Sequence, residues 1–404
     1  MKNFVRRLKN CIKREQNKNL EAKYFKKYAK SAKHHSYKSK DVIMLRLDMI
    51  GDCTMFTSTA AAIREFYKDR KMTILCLNTT KFVFESLGVF DRIITMDFKA
   101  DDVDFAKLDA LIKELRKDEY DILLQPQASK LPVADIIAAA IKCNTRIAIE
   151  TKPGNSKAEW INSVNFLYDK FIPYPRGEVS EFDYYKAFAV GLGIKDFKIT
   201  CPQLTYKKQN FIEGRYFVLY PGGTFSQKFW PAEYYAKIAE FIYKKTGLLA
   251  VLLGVAHEQW VADNVKKNLN VITAMSTIDL TGRTTIGDVI DIIGNAECVI
   301  SNDTSGAHIA CAVKTPCVVI VGGWHYNRFF PYHIEDIKPE DKIPIVANTD
   351  MYCYHCDWNW DTIGKRNEGC LDRMKRGVPS ECIEKITYEQ VEVLVDKMLK
   401  DEKI

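Results

Sequence analysis

No uninterrupted run of about 18 apolar residues occurs in this sequence, so no transmembrane helix is expected. The opening residues, MKNFVRRLKNCIKREQ, lack the apolar core and small-residue cleavage site of a secretory signal, which points to the cytoplasm. There is no short solenoid-type repeat and no long low-complexity tract, which excludes a stacked repeat architecture. No Asp-x-Asp triplet stands in a strand-end loop suited to a divalent ion. The acidic stretch Asp101, Asp102 and Asp104 reads instead as solvated capping at the start of a helix. What remains is ordinary for a globular protein: 404 residues, 47% apolar and 27% charged. That length is too great for one core and suits two α/β domains.

Charge is unevenly spread. Residues 1–40 hold 14 Lys and Arg against Glu15 and Glu21, a charge of +12, so the rest of the chain carries −5 within the total of +7. Phe4, Val5, Leu8, Cys11 and Ile12 recur at roughly helical spacing. A basic amphipathic leader suits an anionic membrane surface, which would make the protein peripheral on the inner face of the cytoplasmic membrane. A solvated, partly disordered tail is the competing reading. A nucleic-acid partner is not expected, because the body is net acidic and does not interleave basic and aromatic residues.

Strand and helix patterns alternate twice along the chain. DVIMLRL (41–47), MTILCL (72–77), RIITM (92–96), YDILLQ (120–125) and TRIAI (145–149) are short apolar runs of the kind found in buried parallel strands. Helical patterns fall between them, and residues 150–214 are less regular, with one helix expected at about 180–191. The pattern restarts with RYFVLYPGG (215–223), LLAVLLG (248–254), ECVISND (297–303) and PCVVIVGG (316–323). The expected division is a leader at 1–40, a first Rossmann-like domain at 41–210 and a second at 211–335. A Cys-rich insert at 336–385 and a C-terminal helix at 386–404 complete it.

In open parallel sheets ligands collect at the carboxyl ends of strands. Four such loops here carry unusual chemistry. Asp48-Met49-Ile50-Gly51-Asp52 follows the first strand, and Asp52 either caps the next helix or offers a carboxylate to a substrate hydroxyl. Tyr220 to Pro231, with Gly222, Gly223, Thr224 and Lys228 before a helix, has the makings of an anion site. Glu258 follows the next strand and could bind ribose hydroxyls or simply suit the helix dipole. Ser301-Asn302-Asp303-Thr304-Ser305-Gly306-Ala307-His308 ends a strand and opens a helix whose first amides suit a diphosphate.

In this order, LRLDMIGDCTMFTSTAAAIR, YPGGTFSQKFWP, DLTGRTTIGDVIDIIGNAE and SNDTSGAHIACAV resemble glycosyltransferase family 9, the heptosyltransferase family, over about residues 41–335. The resemblance implies the GT-B layout, two Rossmann-like doubly wound domains facing across a cleft. It implies inverting, metal-independent transfer of a sugar from a nucleotide-diphosphate donor, ADP-heptose by family precedent. The acceptor would be lipopolysaccharide or another lipid-linked or surface glycan. Asp52 would be the general base, with Gly51 beside it on the acceptor side. Thr224 and Lys228 would touch the donor phosphates, with Gly223 beside them in the donor site, and Glu258 would lie near the nucleoside. Asp303, Thr304, Ser305, Gly306 and His308 would complete the donor site. In one departure from the family pattern, Ser305 precedes Gly306 where many relatives have Gly first. A nucleotide-sugar epimerase, or a non-catalytic nucleotide-sugar-binding protein on the same fold, is the alternative.

The sequence has 12 cysteines, most of them scattered through apolar runs. Cys353, Cys356, Cys370 and Cys382 instead cluster, as C-x2-C followed by gaps of 13 and 11 residues. This spacing suits a structural zinc, while a disulfide pairing or four free thiols stay open. The surrounding Tyr352, Tyr354, Trp358 and Trp360 suit packing on the donor domain. No cofactor is required for the transfer itself.

Overall fold

The structure, a computed structural model, describes residues 18–30, 32, 36–100, 102–151, 158–177, 179–208, 212–356 and 368–404. Packing divides them into two units. One holds the residues up to Met49 with Thr59–Pro175 and Tyr184–Phe197, and the other holds Ile50–Ser58, Arg176–Asp183 and Lys198–Ile404.

The first unit is built on β1 (Val42–Arg46), β2 (Met72–Leu77), β3 (Arg92–Met96), β4 (Tyr120–Gln125), β5 (Cys143–Ile149) and β6 (Lys170–Ile172). Every pairing is parallel and the order is β3-β2-β1-β4-β5-β6. All five residues of β1 and all six of β2 are buried, as expected of central strands covered on both faces. The helices of this half of the chain are α1 (residues 18–29), α2 (Ile50–Met55), α3 (Thr57–Phe66), α4 (Lys81–Leu87), α5 (Phe105–Leu115), α6 (Pro132–Ala140), α7 (Ala158–Val164) and α8 (Glu181–Leu192). The Asp104 carboxylate accepts from the amides of Ala106 and Lys107 and so starts α5, the capping duty read from the sequence.

The second unit repeats the plan with β7 (Tyr216–Tyr220), β8 (Leu249–Leu252), β9 (Thr277–Asp279), β10 (Val299–Asn302), β11 (Cys317–Ile320) and β12 (Ile345–Ala347). Their order, β12-β11-β10-β7-β8-β9, is again all parallel. Its helices are α9 (Ala232–Thr246), α10 (Gln259–Asn268), α11 (Val271–Met275), α12 (Ile286–Gly294), α13 (Ser305–Ala312), α14 (Glu368–Arg376), α15 (Glu381–Glu384) and α16 (Tyr388–Asp401). Gly247 ends α9 in the left-handed conformation at φ 70°, and Thr285 and Asp288 start α12 with a reciprocal capping box. The chain is thus α/β with two Rossmann-like sheets. In each, the strand order reverses between the first and fourth strands, which opens a crevice at their carboxyl ends.

Three boundaries differ from the sequence expectation. Part of the basic leader belongs to the first domain: Phe25 and Ala29, one turn apart on α1, are buried in its core. The proposed amphipathic positions Phe4 to Ile12 lie outside the described residues. The Cys-rich insert supplies β12, which pairs with β11 through Val319 and Val346, so it completes the second sheet rather than decorating it. Residues 50–58 pack with the second unit, not with the first as a boundary near 210 requires, because Gly51 lies directly against His308 of α13.

Arg146 shows how the first unit is fastened. Its buried guanidinium donates to the carbonyls of Ala138 and Ala32 at 2.9 Å and of Ile141 at 2.7 Å, tying the α6–β5 turn to the chain after α1. Arg146→Met keeps most of the volume but leaves these carbonyls without donors. The expected loss is about 2–4 kcal/mol of stability, read as a lower denaturant midpoint; an unchanged midpoint contradicts this role.

Candidate active site

The second sheet reverses between β7 and β10, where Tyr220 pairs with Ser301. The loop after β7 and the turn after β10 therefore emerge side by side. Asn302, fully buried, joins them. Its amide group donates to the carbonyls of Pro221 and Gly222, and its oxygen accepts from the Trp230 amide at 3.3 Å and the Tyr235 hydroxyl at 3.0 Å. All four bonding capacities of the loop and turn meet in one side chain, which fixes their spacing.

Glycines are required where backbones close in. A Cβ on Gly222 would lie 2.4 Å from the Glu258 carboxyl carbon, and one on Gly306 would lie 2.7 Å from the Tyr220 ring. The Ser305 and Tyr220 hydroxyls share a hydrogen bond. Ser305-Gly306 is therefore a packing solution: the glycine sits where the ring leaves no room, and the serine holds that ring.

Glu258 is buried, not solvated as the helix-dipole reading had it. Its Oε1 accepts from the Gly223 amide at 2.6 Å and its Oε2 from the Val255 amide at 2.9 Å. It clasps the loops after β7 and β8 together. The same bond commits the Gly223 amide to Glu258. Thr224 is exposed at the loop tip.

Lys228, expected as a loop-exposed ammonium, is also buried, with its side chain 10% exposed. A single 3₁₀ turn, Ser226–Lys228, swings it inward. Its Nζ donates to the Asp303 carbonyl at 3.0 Å and lies 3.3 Å from the Asp303 carboxylate. A third group completes the cluster: His325 Nδ1 lies 2.5 Å from the same carboxylate oxygen and 3.1 Å from Lys228 Nζ. Burial pushes the Asp303 carboxyl up, but His325 and Lys228 outweigh it and hold it well below the usual carboxylate range. Burial pulls His325 down to about 4 despite the nearby Asp303 charge, so its ring is neutral near pH 7.

His308 lies in the first turn of α13, buried and stacked on Phe330 with centroids 4.7 Å apart. Its Nδ1 is 2.5 Å from the Tyr332 hydroxyl, and burial pulls its pKa down to about 3. Its opposite edge meets the Gly51 turn: a Cβ on Gly51 would approach His308 Cδ2 to 2.9 Å. Gly51 is thus needed for α2 to rest on α13, and half-buried Asp52 follows it in the first turn of α2. Thr304 is the cap residue of α13 but lends that helix no side-chain hydrogen bond, so the first-turn amides keep their capacity for an anion.

In the first sheet, the corresponding reversal between β1 and β4 is closed by charge. Buried Arg46 Nε is 2.8 Å from Asp48 Oδ2, and Gln127 donates to the other Asp48 oxygen. Among the cysteines, Cys382 is buried and its Sγ accepts from the Gly323 amide at 3.4 Å, while Cys370 Sγ lies 3.7 Å from Ser380 Oγ. Among the described residues no group of three or more His, Cys, Asp or Glu side chains that could hold a metal ion is found, while Cys353, Cys356 and Cys370 lie near enough to Cys382 to act on it electrostatically. Trp358 and Trp360 lie outside the described residues.

Sequence reasoning missed His325, and it named Asn302 and Gly222 only as members of their loops, without the roles they have here. The signal for His325 was available: it follows the Gly322-Gly323 pair that ends the fourth apolar run of the second domain, the same kind of strand-end loop as the others.

The model of glycosyltransferase family 9 (heptosyltransferase) matches residues 108–338. The lipooligosaccharide heptosyltransferase 2 of Haemophilus influenzae is 32% identical over 103 residues, which are 25% of this chain and 30% of that protein. The lipopolysaccharide core heptosyltransferase OpsX of the same organism is 23% identical over 307 residues, 73% of this chain and 82% of that protein. Among solved structures, the ADP-heptose lipopolysaccharide heptosyltransferase II of Escherichia coli superposes with a TM-score of 0.66 at 15% identity, covering 90% of this chain and 100% of that one. The family match spans more than half of the sequence and takes in the whole Lys228, Glu258, Asp303 and His308 constellation; the chain belongs to glycosyltransferase family 9, the heptosyltransferases.

Proposed function

We propose that this protein is an inverting glycosyltransferase that moves a sugar from a nucleotide diphosphate, ADP-heptose by the precedent of its relatives, to lipopolysaccharide or another surface glycan. The observation that carries the reading is the juxtaposition, at the β7–β10 reversal, of the inward-facing Lys228 ammonium and the uncapped first turn of α13. An ammonium and a row of amides are the groups a diphosphate needs.

In this reading the donor phosphates lie between Lys228 and the amides of Ser305, Gly306 and Ala307. Glu258 uses its remaining lone pairs for a ribose hydroxyl while holding the two loops. Thr224 reaches the phosphates from the loop tip. Asp52 takes the proton of the acceptor hydroxyl as that oxygen bonds to the anomeric carbon. The bond from that carbon to the phosphate oxygen breaks, and its electron pair leaves with the diphosphate. Lys228 and the amides stabilise the charge that develops there, so the step calls for no divalent ion. Support for Asp52 is its place on α2, which packs against His308 in the donor unit. The family match begins at residue 108 and does not include it.

We also propose peripheral binding to the cytoplasmic face of an anionic membrane through residues 1–40. Within that stretch Lys23, Lys26 and Lys27 are exposed on α1 and Lys30 just after it, while Phe25 and Ala29 point into the core. Among the described residues no helix is long and apolar enough to cross a membrane.

Two variants test the transfer reading. Lys228→Ala removes a phosphate contact and also strands the buried Asp303 carboxylate. It should lower stability by about 3 kcal/mol and weaken nucleotide-sugar binding at least tenfold at a temperature where the variant is folded. Lys228→Arg, which keeps the charge, should recover most of the stability. Undiminished nucleotide affinity in folded Lys228→Ala removes this residue from the donor site.

Asp52→Asn keeps the size of the side chain but cannot accept the proton. The variant should fold, bind donor nucleotide as the wild type does, and turn over roughly 10²–10⁴-fold more slowly. Turnover above about a tenth of the wild-type rate at saturating substrates means another group is the base.

A further inference from the structure

His325 belongs to the cluster but to none of the roles above. Its geometry fixes its tautomer. The Asp303 carboxylate can only accept, so Nδ1 at 2.5 Å carries the hydrogen, and it cannot also accept from Lys228 Nζ at 3.1 Å. The lone pair of the neutral ring is therefore on Nε2, which has no hydrogen-bond partner among the described residues. The ring is held in place by Phe329, packed edge-on with centroids 4.5 Å apart.

Charge balance then sets the chemistry. With His325 neutral, the positive Lys228 and the negative Asp303 cancel, so the cluster offers no net charge to an arriving anion. A nucleotide-sugar diphosphate brings two negative charges at neutral pH. The charged and titratable groups facing His325 are Asp303 at the end of β10, Lys228 from the 3₁₀ turn, His308 from α13 and Arg328 from its own loop. Of these, Asp303 is held ionised by His325 and Lys228, and Nδ1 of His308 is bonded to Tyr332. His325 has an open nitrogen beside Lys228, whereas Nε2 of His308 lies against the Gly51 turn and Arg328 pairs with Glu181.

We propose that His325 is a donor-site residue that takes a proton from solvent at Nε2 when the nucleotide-sugar diphosphate binds, converting a neutral cluster into a cationic one and adding a second N–H donor toward the phosphates. The inference rests on the donor reading given above. Nδ1–H keeps its bond to Asp303 throughout, so protonation requires no rearrangement. An anion brought within about 4–6 Å raises a histidine by roughly 1–3 units. From the free value of about 4 this moves the ring toward the acid side of neutrality. When the sugar departs, the diphosphate gains negative charge beside an imidazolium already formed.

Isothermal titration calorimetry of the full chain in buffers of different ionisation enthalpy counts the protons. ADP-glucose, UDP-glucose and GDP-mannose serve as probes, because a diphosphate diester has no phosphate proton of its own to exchange near neutrality. Uptake of roughly half a proton at about pH 6, fading toward about pH 8, is expected for whichever probe binds. His325→Asn, which presents an N–H near the Nδ1 position, should still bind and should lose the uptake. His325→Gln serves the same purpose if that variant does not fold. A wild type that binds a probe with no proton uptake over this range overturns the proposal and leaves the donor reading standing. Equal uptake by the folded variant also overturns it, and assigns the proton elsewhere. Failure of the wild type to bind any of the three probes defeats the donor reading and this proposal with it.

Discussion

A carboxylate buried at the end of a β-strand has to be compensated, and Asp303 is compensated twice. Left alone, a charge that is almost wholly buried would take up a proton or destabilise the fold. Lys228 and His325 prevent both. The consequence reaches well beyond the pair. To meet Asp303, Lys228 must turn inward, which requires the 3₁₀ turn before α9 and places the ammonium at the β7–β10 reversal. The loop after β11 must likewise bring His325 back toward β10. Three strand-end loops are thus drawn together by one side chain, beside the free amides of α13.

The sheet order makes that convergence available. Because β7 and β10 are neighbours whose following segments leave in opposite directions, a crevice forms at their carboxyl ends, and Asn302 sets its width through Pro221, Gly222, Trp230 and Tyr235. Gly222 and Gly306 then let the walls approach Glu258 and Tyr220. The first sheet has the same order, yet at its reversal stand Arg46, Asp48 and Gln127, joined by one ion pair and one hydrogen bond. Equal folds carry different chemistry because the loops differ, and the donor reading attaches to the second sheet for that reason.

Much of this was legible beforehand. Central strands such as MTILCL and YFVLY announce themselves because burial on both faces makes them continuously apolar. Helix punctuation by Asp104, Thr285 and Gly247 rests on local hydrogen bonds and backbone freedom, which a sequence displays directly. The three-residue edge strands β6, β9 and β12 escaped notice, since so few residues carry no period. The site was legible in its residues and not in its contacts. Lys228 reads as a solvated lysine until Asp303, distant in sequence, is seen to face it. Glu258 reads as a surface acid until Gly223 is seen to need it. His325 stood after a glycine pair like those of the other loops, but nothing local linked it to β10. The grouping of α2 with the second unit rests on its packing against α13, with Gly51 close on His308, between segments more than 250 residues apart.

The central claim is that the donor diphosphate is held at the β7–β10 reversal. A crystal structure of the full chain with ADP, UDP or GDP tests it most directly. The account predicts phosphate density within hydrogen-bond distance, about 2.7–3.2 Å, of Lys228 Nζ and of at least one amide among Ser305, Gly306 and Ala307. Phosphates bound instead at Arg46 and Gln127 of the first sheet, or away from both reversals, would contradict it.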